Sequence, residues 1–111
     1  MLPRTKRLTT KQFDSVVEKG RGTHSSLFIV KVKEQDGQTQ IAAVVPKKVS
    51  PKAVDRNRLR RHMYEVIQSF TDTIMSSKNI ILFAKKGAEK LTSDQMKNEI
   101  RSLFVKGGII K

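Results

Sequence analysis

Ile41-Ala42-Ala43-Val44-Val45, then Ser50-Pro51, then Leu59, Met63, Val66, Ile67 and Phe70 at helical spacing, then Ile80-Ile81-Leu82-Phe83-Ala84: this stretch decides the fold. Its first five residues are an unbroken apolar run of strand length, and residues 80–84, uniformly apolar after Asn79, have the pattern of a strand covered on both faces. Between them Ser50 is placed to act as an N-cap, with Pro51 at the one helical position where proline is welcome. The apolar recurrence then carries a helix of about five turns to roughly Ser69. Strand, helix, strand makes a crossover unit, and the default for such a unit is a right-handed connection between parallel strands.

Upstream, Phe28, Val30 and Val32 fall on one face of residues 27–33 while Lys31 and Lys33 fall on the other, as in a half-buried strand. Gln35-Asp36-Gly37-Gln38 supplies an Asp-Gly turn signal and predicts that residues 41–45 pair back as an antiparallel hairpin. Further upstream Thr9 can cap the amide of Gln12 while Gln12 reaches back, and Leu8 can staple onto Phe13. That start predicts a helix of two to three turns with Phe13, Val16 and Val17 on one face and Gly20 at the exit. Downstream, Thr92-Ser93-Asp94-Gln95 offers a second capping box. Met96, Ile100, Leu103 and Phe104 then form a stripe ending near Gly107-Gly108, after which fraying is expected. The order reads helix, two or three strands, helix, strand, helix, an α/β sandwich with no internal repeat.

The chain has 111 residues, enough for one modest core, since folding at this length removes roughly 65% of the chain's surface from water. Its 23 Lys and Arg outnumber its 10 Asp and Glu to give a net charge of +13. A polyanion is the simplest partner for such a field, nucleic acid before an anionic membrane. The absence of cysteine excludes disulfides and thiolate metal sites, zinc fingers among them, and fits a reducing cytoplasm. No apolar run approaches the roughly 20 residues that span a bilayer, and residues 1–7 are basic with no apolar segment behind them, unlike a signal peptide.

The charge is clustered. Residues 47–61 hold Lys47, Lys48, Lys52, Arg56, Arg58, Arg60 and Arg61, opposed only by Asp55. At about 100° per residue from Leu59, Arg56 falls near 60°, Arg60 near 100°, Asn57 near 160°, Arg61 near 200° and Arg58 near 260°. The arginines thus fan around most of the arc that the apolar stripe leaves free. Planar guanidinium groups bind phosphates bidentately and stay charged at biological pH. A merely solvated face is the bland alternative, but like charges three and four residues apart repel by a few tenths of a kcal/mol per pair, which disfavours a decorative arrangement. Arg4, Lys6, Arg7 and Lys11 form a second group, a basic arm over about residues 1–8 leading into the first helix, and Lys85-Lys86 follow the last strand. His24 and His62 have no adjacent carboxylate to orient them, and the acids form no two-metal cluster, so an independent nuclease is disfavoured. His62, next to Arg61, is better suited to a phosphate contact.

From Lys47-Lys48 through Ala53, Arg56-Asn57-Arg58, Leu59 and Arg60-Arg61, the sequence closely resembles the bacterial ribonuclease P protein family. Its hallmark is a Lys-Lys pair, then Ala, Arg-Asn-Arg, an aliphatic residue and a further basic pair. Arg7-Leu8, Phe13, Val16 and Gly20 look like the family's first helix, and residues 80–85 like its last strand. The resemblance implies an α+β fold, a two-layer α/β sandwich of order helix-strand-strand-strand-helix-strand-helix. Its β-helix-β crossover is the unusual left-handed one (ribosomal protein S5 domain 2-like), against the default above.

It further implies a single RNA-binding domain over residues 1–111, the cytoplasmic protein subunit of an endoribonuclease that removes the 5′ leader from precursor tRNA. The catalytic groups and Mg2+ ions would belong to the RNA subunit, with no catalytic residue, metal site or cofactor in this chain, no membrane and no obligate protein partner. Lys47, Lys48, Lys52, Arg56, Asn57, Arg58, Arg60 and Arg61 would bind the RNA subunit. A cleft between the first helix and the sheet, with Phe13, Val17, Lys31 and Lys85, would take the leader. Val17 and Lys31 stand where many members carry aromatics, and Gln40, Tyr64 and Lys85 where an arginine is usual. Base stacking in the cleft is therefore expected to be weaker than usual, with Phe13 left as the stacking residue if it is not a core residue. A ribosomal or nucleoid protein would share the charge but not the full motif.

Overall fold

The computed structural model describes residues 7–74 and 77–110. In chain order these form α1 (Thr10–Lys19), β1 (Arg21–His24), β2 (Phe28–Glu34), β3 (Gln40–Val44), α2 (Ala53–Ser69), β4 (Lys78–Ala84) and α3 (Ser93–Lys106), with short 3-10 turns at Thr71–Thr73 and Ala88–Lys90. This is the expected order with three strands before α2. Both capping boxes form: Thr9 N–H donates to Gln12 Oε1 and Gln12 N–H to Thr9 Oγ1, and Thr92 and Gln95 repeat the pattern at the same 2.9 and 3.2 Å. Each satisfies two amides that a helix start otherwise leaves without partners.

The sheet order is β1-β2-β4-β3, with β2 antiparallel to β1 and β4, and β3 parallel to β4. The hairpin expected between β2 and β3 is therefore absent, because β4 lies between them. The apolar run of β4 explains the preference: a strand buried on both faces belongs inside the sheet rather than at its edge. The Asp-Gly segment still turns the chain, with Gly37 at φ 92°, but it carries β3 across the start of β4. Gln35 N–H donates to Ser77 O and Lys78 N–H to Thr39 Oγ1, each at 3.2 Å. The tight antiparallel partner of β2 is β1, joined through Ser25, whose N–H donates to Phe28 O at 2.8 Å. Arg21-Gly22-Thr23-His24 has no apolar residue to announce a strand.

Phe28, Val30 and Val32 of β2 pack with Ile80 and Leu82 of β4 against α2 and α3, whose predicted stripes are all buried. Phe70 and Phe104 meet edge to face at 5.2 Å where the two helices join. The opposite face of the sheet carries α1. There Val16 is fully buried, Phe13 sits edge-on to Phe83 at 6.4 Å, and Lys33 Nζ donates to Ser15 Oγ at 2.6 Å. Val17 does not share that burial and is 41% exposed. Gly20 ends α1 at φ −76°, not in the left-handed conformation expected of a glycine exit. Its smallness serves close approach: a Cβ would lie 2.5 Å from Val16 O and 3.0 Å from Val32 O.

Two further expectations are corrected. Ser50 does not cap α2, which begins at Ala53 after Lys52 with no side-chain cap. Ser50 is buried in the approach, where Arg56 Nη1 holds the carbonyls of Ser50 and Pro51 at 3.1 and 2.6 Å. Residues 108–110 do not fray. Gly108 turns it at φ 71°, Ile109 and Ile110 are buried, and Ile110 bridges Ile74. Of the basic arm, residues 1–6 lie outside the described residues, and Arg7 forms a parallel bridge with Ile41 on the outer edge of β3.

Candidate nucleic-acid interface

The stripe Leu59, Met63, Val66, Ile67 turns one side of α2 to the core and leaves the arginine fan on the other. Asn57, Arg58 and Arg61 are exposed, Arg56 and Arg60 half-buried, and Lys47, Lys48 and Lys52 exposed on the approach. Among the described residues no carboxylate comes within ion-pair distance of these arginines, the ion pair there being Lys78–Glu34 at 2.7 Å. Their charge is thus left for an external partner. Arg60 Nη1 donates to Asn57 Oδ1 at 2.6 Å, so the asparagine orients a guanidinium one turn along, while its own amide N–H groups make no hydrogen bond among the described residues. Arg56 is the exception, turned back onto Ser50 and Pro51.

The two flanks of α2 differ. Arg58 and His62 line a cavity of about 400 Å3 together with Asp55, Leu59 and Glu89, while Asn57, Arg60, Arg61 and Tyr64 line a hollow of about 250 Å3. Tyr64, expected only as a departure from an arginine, serves the sheet, since its hydroxyl accepts from Ala43 N–H at 3.1 Å. That amide points away from the β3–β4 ladder, so Tyr64 closes a sheet edge and fixes α2 against it. Its place directly after Met63 in the buried stripe was the available signal.

The second region is the face under α1. Lys31 Nζ donates to Val17 O at 3.4 Å, which brings Phe13, Val17 and Lys31 together along the helix. Lys85 lies at the exit of β4, where its Nζ donates to Ser25 O at 2.7 Å and ties that exit to the β1–β2 turn. Sequence reasoning missed Ile29, Val44 and Phe83, which are half-buried on the same face. Alternation places Phe83 opposite in direction to Leu82, but only the register shows which residues stand beside it. Among the described residues no group of three or more His, Cys, Asp or Glu could hold a metal ion, and no helix is long and apolar enough to cross a membrane. His24 and His62 lie on β1 and α2, which pack on different parts of the sheet.

A mixed four-stranded sheet, with an arginine face on one helix that no carboxylate pairs among the described residues and a half-open, lysine-flanked groove on the other side, defines a small RNA-binding protein of the α+β class. The chain matches the ribonuclease P family model over residues 2–107 and belongs to that family. The ribonuclease P protein component of Bacillus cereus (strain AH187) is 30% identical over 100 residues, covering 88% of this chain and 86% of that protein. That of Bacillus anthracis is 29% identical, covering 88% and 83%. Among solved structures, the RNase P protein of Staphylococcus aureus superposes with a TM-score of 0.86 at 22% identity over 96% of this chain and 98% of that one. That of Thermotoga maritima gives 0.81 at 19% identity over 90% and 96%.

Proposed function

We propose that this chain is the RNA-binding protein subunit with which a catalytic RNA removes the 5′ leader of precursor tRNA in the cytoplasm. The observation that carries the reading is the α2 fan: Arg58, Arg60 and Arg61, with Asn57, stand on one helix, and among the described residues no carboxylate lies within ion-pair distance of these arginines. It occurs in a chain whose relatives are ribonuclease P protein components. In this reading α2 and its approach, Lys47, Lys48 and Lys52, neutralise phosphates of the RNA subunit, and the groove between α1 and the sheet takes the single-stranded leader. The RNA subunit then supplies the catalytic Mg2+ ions, and the protein's work is to bind, neutralise and orient.

Reconstitution tests this. Purified protein added to the matching catalytic RNA should restore precursor tRNA cleavage at low Mg2+, where neither component alone cleaves. Cleavage by the protein alone, or no stimulation of the RNA, overturns the proposal.

A further inference from the structure

The register places one residue from each strand in a transverse row on the face that carries α1. His24 on β1 stands opposite Ile29 on β2, Ile29 opposite Phe83 on β4, and Phe83 opposite Val44 on β3. The neighbouring row, Gly22, Lys31, Ile81 and Ala42, runs beneath the helix, with Ile81 fully buried and Lys31 tied to Val17 O. The first row is covered only in part: Ile29, Phe83 and Val44 are half-buried, with Phe83 edge-on to Phe13 of α1, and His24 is exposed. With strands about 4.8 Å apart, this row is a track about 14 Å long. Its floor is apolar at three positions, and beyond Val44 the chain leads into Lys47 and Lys48.

At the far end of the track there is a seat. Gly22, two residues before His24 and so on the same face, has no side chain. A Cβ there would stand 4.0 Å from His24 Nε2 and 4.0 Å from Lys31 Cγ. The space is bounded by an imidazole ring on one side and by the aliphatic stem of Lys31 on the other, and the Lys31 ammonium, which reaches Val17 O at 3.4 Å, keeps further N–H donors for an anion. The ring makes no hydrogen bond among the described residues, and His24 is held through its backbone, where its carbonyl accepts from Lys106 Nζ at 3.1 Å.

The geometry points to His24 as a base-stacking residue of the leader groove, seating the base over Gly22 with its phosphate at Lys31. This rests on the reading of the groove as the leader site. A planar ring beside a cation is what an unstacked base and its phosphate require, and a duplex, with its bases paired inside, offers no base to such a seat. His24 supplies on β1 the π surface that Val17 on α1 and Lys31 on β2 do not. Because the opposite end of the track, at Val44, is the one from which the chain runs into Lys47 and the approach to α2, His24 reads the leader nucleotide farthest from that approach.

The test compares the reconstituted ribonucleoprotein's affinity for precursor tRNA with its affinity for the same tRNA lacking a leader. His24→Ala should weaken binding of the leader-bearing RNA about tenfold, the low end of the stacking range, and leave the leaderless RNA unchanged. His24→Phe should restore the affinity and His24→Lys should not. Gly22→Val fills the seat with a residue that favours strands, and it should lower leader affinity without lowering the melting temperature. Shortening the leader one nucleotide at a time should abolish the His24→Ala effect before the overall preference for a leader is lost. Unchanged affinity in His24→Ala and Gly22→Val, rescue by Lys instead of Phe, or equal losses on both RNAs would overturn the inference. If the wild-type protein confers no preference for a leader, the groove reading itself fails. If it confers one that ignores both variants, only the His24 assignment does.

Discussion

On β2, Phe28, Val30 and Val32 are at most 2% exposed against α2 and α3, whereas Ile29, Lys31 and Lys33, each one residue along, are half-buried against α1. One face is covered by two helices of 17 and 14 residues, the other by a single helix of 10. A ten-residue helix is about 15 Å long and cannot roof four strands. The comparison teaches how a small domain divides its labour: the period of two sends alternate side chains to a dry core or to an open groove, so the same strands serve stability and binding. Substitution on the first face should therefore register as unfolding and on the second as lost affinity.

The largest expected effect tests the dry face. Phe28→Ala removes a fully buried ring and should cost about 3 to 5 kcal/mol of stability, read by denaturant titration. A cost below about 1 kcal/mol would show that the core tolerates a hole there and would erase the contrast between the faces. On the open face, Phe13→Ala should leave most of the stability in place, since Phe13 is half-buried and its main aromatic contact is Phe83. It should instead reduce affinity for precursor relative to mature tRNA by roughly 1 to 3 kcal/mol, measured by competition binding. A fall in melting temperature with no change in that ratio would move Phe13 from the groove to the core.

How much of this division was legible depended on the range of the interaction. The capping boxes at Thr9 and Thr92, the stripes of α2 and α3 and the alternation of β2 are set by neighbours within a few residues, and the chain follows them. The β2–β3 hairpin failed because the Asp-Gly signal fixes a turn but not a partner. The partner was decided by β4, about 40 residues downstream, whose two apolar faces had to be buried. β1 carried no apolar signal at all. For the site, the motif around Arg56-Asn57-Arg58 was readable as a linear pattern on one helix. The row His24, Ile29, Phe83, Val44 draws one residue from each of four strands and exists only once the register is known.

Tyr64 joins the two regions, since it lies on the arginine helix yet closes the edge of β3. Tyr64→Phe leaves the buried Ala43 N–H without its acceptor and should cost about 1 to 2 kcal/mol of stability. Because it removes no charge, the dependence of RNA affinity on salt concentration should keep its slope. A flatter slope with unchanged stability would mean that the hydroxyl acts on the RNA and not on the strand.

The smallest effects separate arginines on a single helix. Arg58 and Arg61 are exposed and make no hydrogen bond among the described residues, while Arg56 spends donors on the carbonyls of Ser50 and Pro51. Arg58→Ala and Arg61→Ala should each flatten the salt dependence of RNA binding by about one unit, as a lost phosphate contact does, and leave stability unaltered. Arg56→Ala should show the reverse weighting. It releases two carbonyls at the start of α2, so the melting temperature should fall while the salt slope changes by less than for its neighbours. If Arg56→Ala flattens the slope as fully as Arg61→Ala and leaves the melting temperature in place, its tether to the approach is incidental and the fan is one uniform phosphate surface. If it behaves as expected, the motif combines arginines that meet the RNA with one that fixes where the helix begins, and that start in turn sets the direction in which the others point.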